Sequence, residues 1–150
     1  MVPVMNIDKF ERFFRVAGGL DIDKNDLKRY SDFVSDKLHD LLLIGQGTTK
    51  ANGRDILQPR DLPVTKGLQE SIHLFREIDE DIELQPILAQ LAKWPPLDVT
   101  LSDEAESRLP EVVGGLSVAL ARTIKVIDPK VKNPQTAHWA DAFRIFGLLL

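Results

Sequence analysis

Three histidines are the first side chains to weigh for chemistry, because each has a carboxylate near it in the chain: His39 beside Asp36 and Asp40, His73 between Glu70 and Glu77, and His138 before Asp141. A helical zinc site needs two histidines one turn apart with an open fourth position, and none of the three has that spacing. They are read as surface or partly buried histidines, with no metal expected. The segment Gly45, Gln46, Gly47, Thr48, Thr49, Lys50 has the composition of a phosphate-binding loop. It lacks the required spacing and follows a helix instead of a strand, so it is read as a frayed helix end. No serine stands in a nucleophile elbow, no carboxylate pair has the surroundings of an acid and a base, and the chain has no cysteine. A non-enzymatic protein without cofactor is the expectation.

The elements that carry these residues come from apolar spacing. Ile7 to Ala17 places Phe10, Phe13, Phe14 and Ala17 on one face and stops at Gly18 and Gly19, a short helix. Asn25 or Asp23 can cap a long helix whose stripe runs Leu27, Tyr30, Phe33, Val34, Leu38, Leu41, Leu42 and which ends near Lys50. Asn52 and Gly53 signal a turn, Asp55 to Leu57 an extended piece, and a third helix is expected to start near Pro59, with Leu62, Leu68, Ile72 and Phe75 inward. The order then repeats. Ile82 to Trp94 reads as a short helix ended by Pro95 and Pro96, and Leu97, Asp98, Val99 echo Leu20, Asp21, Ile22 at an offset of about 77 residues. Ser102 falls opposite Asn25 as a second cap, and a long helix follows from Ala105 to Ile127, in which Pro110 is expected to make a bend. Thr136 to Leu150 closes the chain. Trp94 and Trp139 read as bulky core pieces, and Phe143, Phe146, Leu149 and Leu150 as an exposed apolar edge suited to another protein or a second copy.

This short, long, medium order resembles the histone fold, and the segment Asn52 to Leu62 sharpens the likeness. Arg54, Ile56 and Asp61 stand where archaeal and eukaryotic core histones place an arginine, a β-branched residue two positions on and an aspartate seven after the arginine. Over the whole chain the sequence is similar to the small bacterial double-histone-fold family of unassigned function. That likeness implies an all-α protein of residues 1–150 as a single domain, with a histone fold at 5–80 and a degenerate one at 81–150, packed as an intramolecular pseudo-dimer with the two long helices crossing. It also implies that Arg54 and Asp61 form a structural clamp, a guanidinium fork on a carboxylate. Arg54→Ala should then lower the melting temperature sharply. No arginine and aspartate seven apart occur between Lys130 and Asp141, so the second clamp is expected to be missing or replaced.

Histones hold DNA phosphates where the first loop of one fold lies beside the second loop of the other. Carried over, one edge pairs Lys24 with Lys130 and Lys132, and the other offers Lys50, Arg54 and Arg60; Lys9, Arg12 and Arg15 would extend the basic surface. Against DNA stand Asp21, Asp23 and Asp98 in the first loops and a net charge of -4, with each half carrying two more acids than bases. The resemblance and the charge together lead to a histone-like interaction or structural protein, with other protein chains or its own copies as partners, and with weak nucleoid-type DNA binding as the alternative. No apolar run approaches the roughly 20 residues of a membrane-spanning helix, the first residues Met1 to Glu11 carry no export signal, and cysteine-free composition suits a cytoplasmic protein.

Overall fold

The computed structural model describes residues 7–150. The first six residues of the Met1 to Glu11 stretch that is read as free of an export signal, and the start of the first repeat at residue 5, lie outside the described residues. The described chain is mostly helical: α1 (Ile7–Gly18), α2 (Lys24–Ala51), α3 (Lys66–Ile82), α4 (Gln85–Leu91), α5 (Asp103–Ile127) and α6 (Thr136–Leu149), with two short strands, β1 (Ile56–Leu57) and β2 (Thr100–Leu101). None of these helices is long and apolar enough to cross a membrane.

Local chemistry explains most of the boundaries. Asp23, not Asn25, caps α2: its carboxylate accepts from Asp26 N at 2.9 Å, and the Asp26 side chain accepts from Asp23 N at 3.1 Å. Ser102 caps α5 by accepting from Ala105 N at 3.0 Å. Gly45 to Lys50 is regular helix within α2 and not a frayed end; Gly45 is buried, and a Cβ there would lie 3.0 Å from Leu57. The third helix begins later than the sequence suggests. Pro59–Asp61 forms only a 3-10 turn, and Leu62 turns extended because the ring of Pro63 disfavours the helical region for the residue before it. Thr65 then caps α3. At the other end α3 keeps Ile82, Glu83 takes a left-handed conformation (φ 58°), and α4 is confined to seven residues instead of running from Ile82 to Trp94. Pro110 does not interrupt α5, which is helical from end to end with Pro110 buried inside it.

Packing joins the two halves of the chain. α3 lies most extensively on α5, and α1 also packs on α5. Helices approach this closely because α5 carries Gly114 and Gly115 where α3 presents Phe75 and Ile72: a Cβ on Gly114 would collide with the Phe75 ring, and one on Gly115 would sit 2.5 Å from the Ile72 side chain. The long helices α2 and α5 touch at a buried polar contact, Tyr30 Oη to Ser117 Oγ at 2.7 Å. Ser117 donates onward to Val113 O, so the tyrosine donates to the serine. Burial pushes the Tyr30 phenol up and keeps it protonated. Around it Phe10, Phe14 and Tyr30 meet edge to face, and Phe14 meets Trp139, which is buried, while Trp94 is only half-buried.

The loops are paired reciprocally. β1 and β2 run parallel, Ile56 with Thr100 and Leu57 with Leu101, with Thr100 N donating to Asp55 O at 3.0 Å. At the other end Asp21 N donates to Lys132 O at 2.6 Å. Thr100 therefore answers to Asp21, and Ser102 to Asp23, an offset of 79 residues at the first loops. The visible echo at 77 is two residues out of register there. It does hold at the second loops, where Asp55 answers to Lys132.

Candidate functional site

One paired-loop edge joins the end of α2, β1 and the 3-10 turn to the loop before α5. Asp61 is almost fully buried and accepts from Arg54 Nη2 at 2.6 Å, Arg54 Nη1 at 2.8 Å, Gln58 N at 2.8 Å and Thr49 Oγ1 at 3.1 Å. The Arg54 guanidinium, ahead of the Gln58 N–H and the Thr49 hydroxyl, holds this carboxyl well below the ordinary range, while burial opposes it. Arg54 N also donates to Thr49 O at 3.0 Å, so the loop, the end of α2 and the turn are tied at one point. Lys50 is paired too, its Nζ 2.8 Å from Asp98 Oδ2, and Asp98 N donates to Gln46 Oε1 at 2.7 Å. The Lys50 ammonium lowers the Asp98 carboxyl, but both side chains are exposed and screened. Arg60 is exposed and points to a different surface, the trench beside α3. Of the three cations predicted for this edge, two are spent on aspartates and the third lies off it.

The opposite edge joins the loop before α2 to the loop before α6. Lys24, Lys130 and Lys132 are all exposed there, and none forms an ion pair among the described residues. Between these lysines the surface is acidic and hydrogen-bonded: Asp21 meets Arg15 at 3.4 Å, Asp23 and Asp26 cap α2, and Arg29 Nη2 donates to Thr136 Oγ1 at 2.9 Å. Burial raises the Asp26 carboxyl, partly offset by the Asp23 N–H.

A polar pair that the sequence does not announce sits at this edge. His138 Nδ1 accepts from Gln135 N at 2.8 Å, as Asp61 accepts from Gln58 N at the other edge, and His138 Nε2 lies 3.1 Å from Asp128 Oδ2. Since a backbone N–H can only donate, the neutral ring carries its proton on Nε2, which donates a hydrogen bond to Asp128. In this pair the carboxylate lies at the end of α5 and the nitrogen base on the following helix, the reverse of the order of Arg54 and Asp61. Of the remaining histidines, His73 lies 3.4 Å from Glu77 at the surface and His39 is half-buried. Among the described residues no group of three metal-ligating side chains comes together.

The terminal apolar edge divides. Phe146 is buried against the Phe33 ring and belongs to the core, while Phe143, stacked on Phe33 with centroids 4.7 Å apart, and Leu150 are half-buried against it. Leu148, 85% exposed, Leu149, 76% exposed, and Ile145 remain at the surface.

Residues 10–147 match the family model described as "Domain of unknown function (DUF1931)". Two uncharacterized proteins of Aquifex aeolicus (strain VF5) are similar to this chain, one 26% identical over 125 residues, covering 83% of this chain and 73% of the relative, the other 28% identical over 137 residues, covering 83% and 80%. Among solved structures, a crystallised protein from Thermus thermophilus is 51% identical with a TM-score of 0.86, covering 96% of this chain and 97% of that one. A second, from Aquifex aeolicus, is 23% identical with a TM-score of 0.84, covering 97% and 95%.

Proposed function

This chain belongs to the DUF1931 family, a domain of unknown function, and we propose that it serves as a histone-like, non-enzymatic interaction or structural protein of the cytoplasm. In this reading the histone fold expected at 5–80 and the degenerate one expected at 81–150 make an intramolecular pseudo-dimer. What supports it is the reciprocal pairing of loops: Asp21 N with Lys132 O at one edge, Thr100 N with Asp55 O at the other. A three-helix unit with a long, bare central helix needs a second unit to cover it, and here each half lends its loops to the other. The exposed Ile145, Leu148 and Leu149 at the end of α6 are where another protein or a second copy would add contacts.

Weak DNA binding is the second reading, favoured by one observation: Lys24, Lys130 and Lys132 share an edge and form no ion pair among the described residues. Phosphate-driven affinity needs several free cations, and Lys50 and Arg54 are already neutralised by Asp98 and Asp61. A mobility-shift titration of a short duplex at low and moderate salt separates the two. An interaction protein forms no complex at micromolar concentration. A complex that weakens steeply with salt and disappears in Lys130→Gln/Lys132→Gln would establish the DNA reading in its place.

A further inference from the structure

Between the 3-10 turn, α3 and the first half of α5 runs a trench of about 860 Å³, within the roughly 300–1,000 Å³ typical of small-molecule sites. Three elements each line it with an arginine: Arg60 from the turn, Arg76 from α3 and Arg108 from α5. Arg76 is fixed in place, its Nε and Nη2 donating to Glu111 at 3.2 and 2.7 Å, which leaves its Nη1 group free of that pair. Arg60 and Arg108 are exposed and have no ion-pair partner among the described residues. With Glu111 spent on Arg76, Glu104 is the one acid opposing them, so the trench is cationic on a chain whose net charge is -4. Val64 and Ile72, both half-buried, supply apolar surface. The frame is stiff on both sides: the Arg54–Asp61 clamp holds the turn, and Gly114 and Gly115 lock α3 onto α5.

We propose that this trench binds a phosphate monoester carried on a small organic body of nucleotide size. A carboxylate offers two coplanar oxygens and is satisfied by one guanidinium fork, whereas a phosphate monoester has three terminal oxygens and can use donors from more than one of the arginines that line the trench. The volume exceeds what phosphate alone needs, and the apolar patch gives the organic body a place to rest.

Isothermal titration of the whole chain with adenosine 5′-monophosphate, adenosine and inorganic phosphate tests the assignment, alongside Arg60→Gln, Arg108→Gln and the distant Lys132→Gln. The nucleotide binds, inorganic phosphate binds more weakly and adenosine does not bind. Arg60→Gln and Arg108→Gln each weaken the nucleotide at least fivefold with the unliganded melting temperature unchanged, and Lys132→Gln leaves it unaltered. Absence of nucleotide binding, binding indifferent to both arginine variants, or inorganic phosphate binding as well as the nucleotide overturns the proposal. So does displacement of the nucleotide by duplex DNA, which would make the site one for phosphodiesters.

Discussion

Asp61 collects four donors from three directions, and its energetics follow from that geometry. Because its folded carboxyl lies below the ordinary value of 3.8, the stabilisation it gives is complete above that pH and lost as the pH falls toward the folded value. Replacing it by asparagine leaves Arg54 without its counter-charge; with Arg54 28% exposed, the cost falls between that of a surface pair and a buried one, about 2 kcal/mol or more. Urea unfolding from pH 7 to pH 2.5 should show the gap between wild type and Asp61→Asn constant above about pH 5 and shrinking below 3.8. Asp26 works in the opposite sense, since burial raises it and protonation favours the fold, but it is present in both proteins and cancels in the difference. A gap as wide at pH 2.5 as at pH 5 would contradict the role given to the charge. Arg54 and Asp61 are legible in the sequence because Asn52 to Leu62 resembles the histone loop, and that resemblance implies the pair. The His138–Asp128 pair is not, since it keeps a backbone contact, from Gln135, while exchanging the places of carboxylate and nitrogen base and changing the spacing.

At the level of elements, the two long helices can be read from the sequence because their apolar stripes are long, and at the start of α2 only the choice between Asp23 and Asn25 needs the structure. The start of the third helix misleads because Pro59 fits a first helical turn, whereas Pro63 decides the matter by disfavouring helix at Leu62. The meaning of Gly114 and Gly115 is hidden altogether, because periodicity shows which face is buried and not how closely a partner approaches. That approach gives a sharp contrast. Gly115→Ala puts a Cβ 2.5 Å from Ile72 Cγ1 and 3.1 Å from the Ile72 backbone, which cannot swing away, and should cost about 1–3 kcal/mol. Gly47→Ala, in α2 with nothing within 4 Å, should instead stabilise by up to about 1 kcal/mol through helix propensity. Thermal denaturation of the two variants with opposite signs supports the packing described, and equal signs would argue against it.

For the molecule as a whole, the core is shared across the middle of the chain, with α1 and α3 lying on α5 and the loops exchanged at both edges. The internal repeat points to this arrangement from sequence. Its register at the first loop does not come through, because Thr100 and Lys132 stand two residues closer in the chain than Asp21 and Asp55, and Leu97 and Val99 are half-buried where Leu20 and Ile22 are buried. If the halves cover each other, neither can open alone. Native-state hydrogen exchange of the central amides of α2 and α5 measures this directly: both should open with one free energy equal to that of global unfolding in denaturant. Amides of α2 exchanging through an opening well below the global value while α5 stays closed would show two units that stand independently, and would contradict the mutual covering on which the account rests.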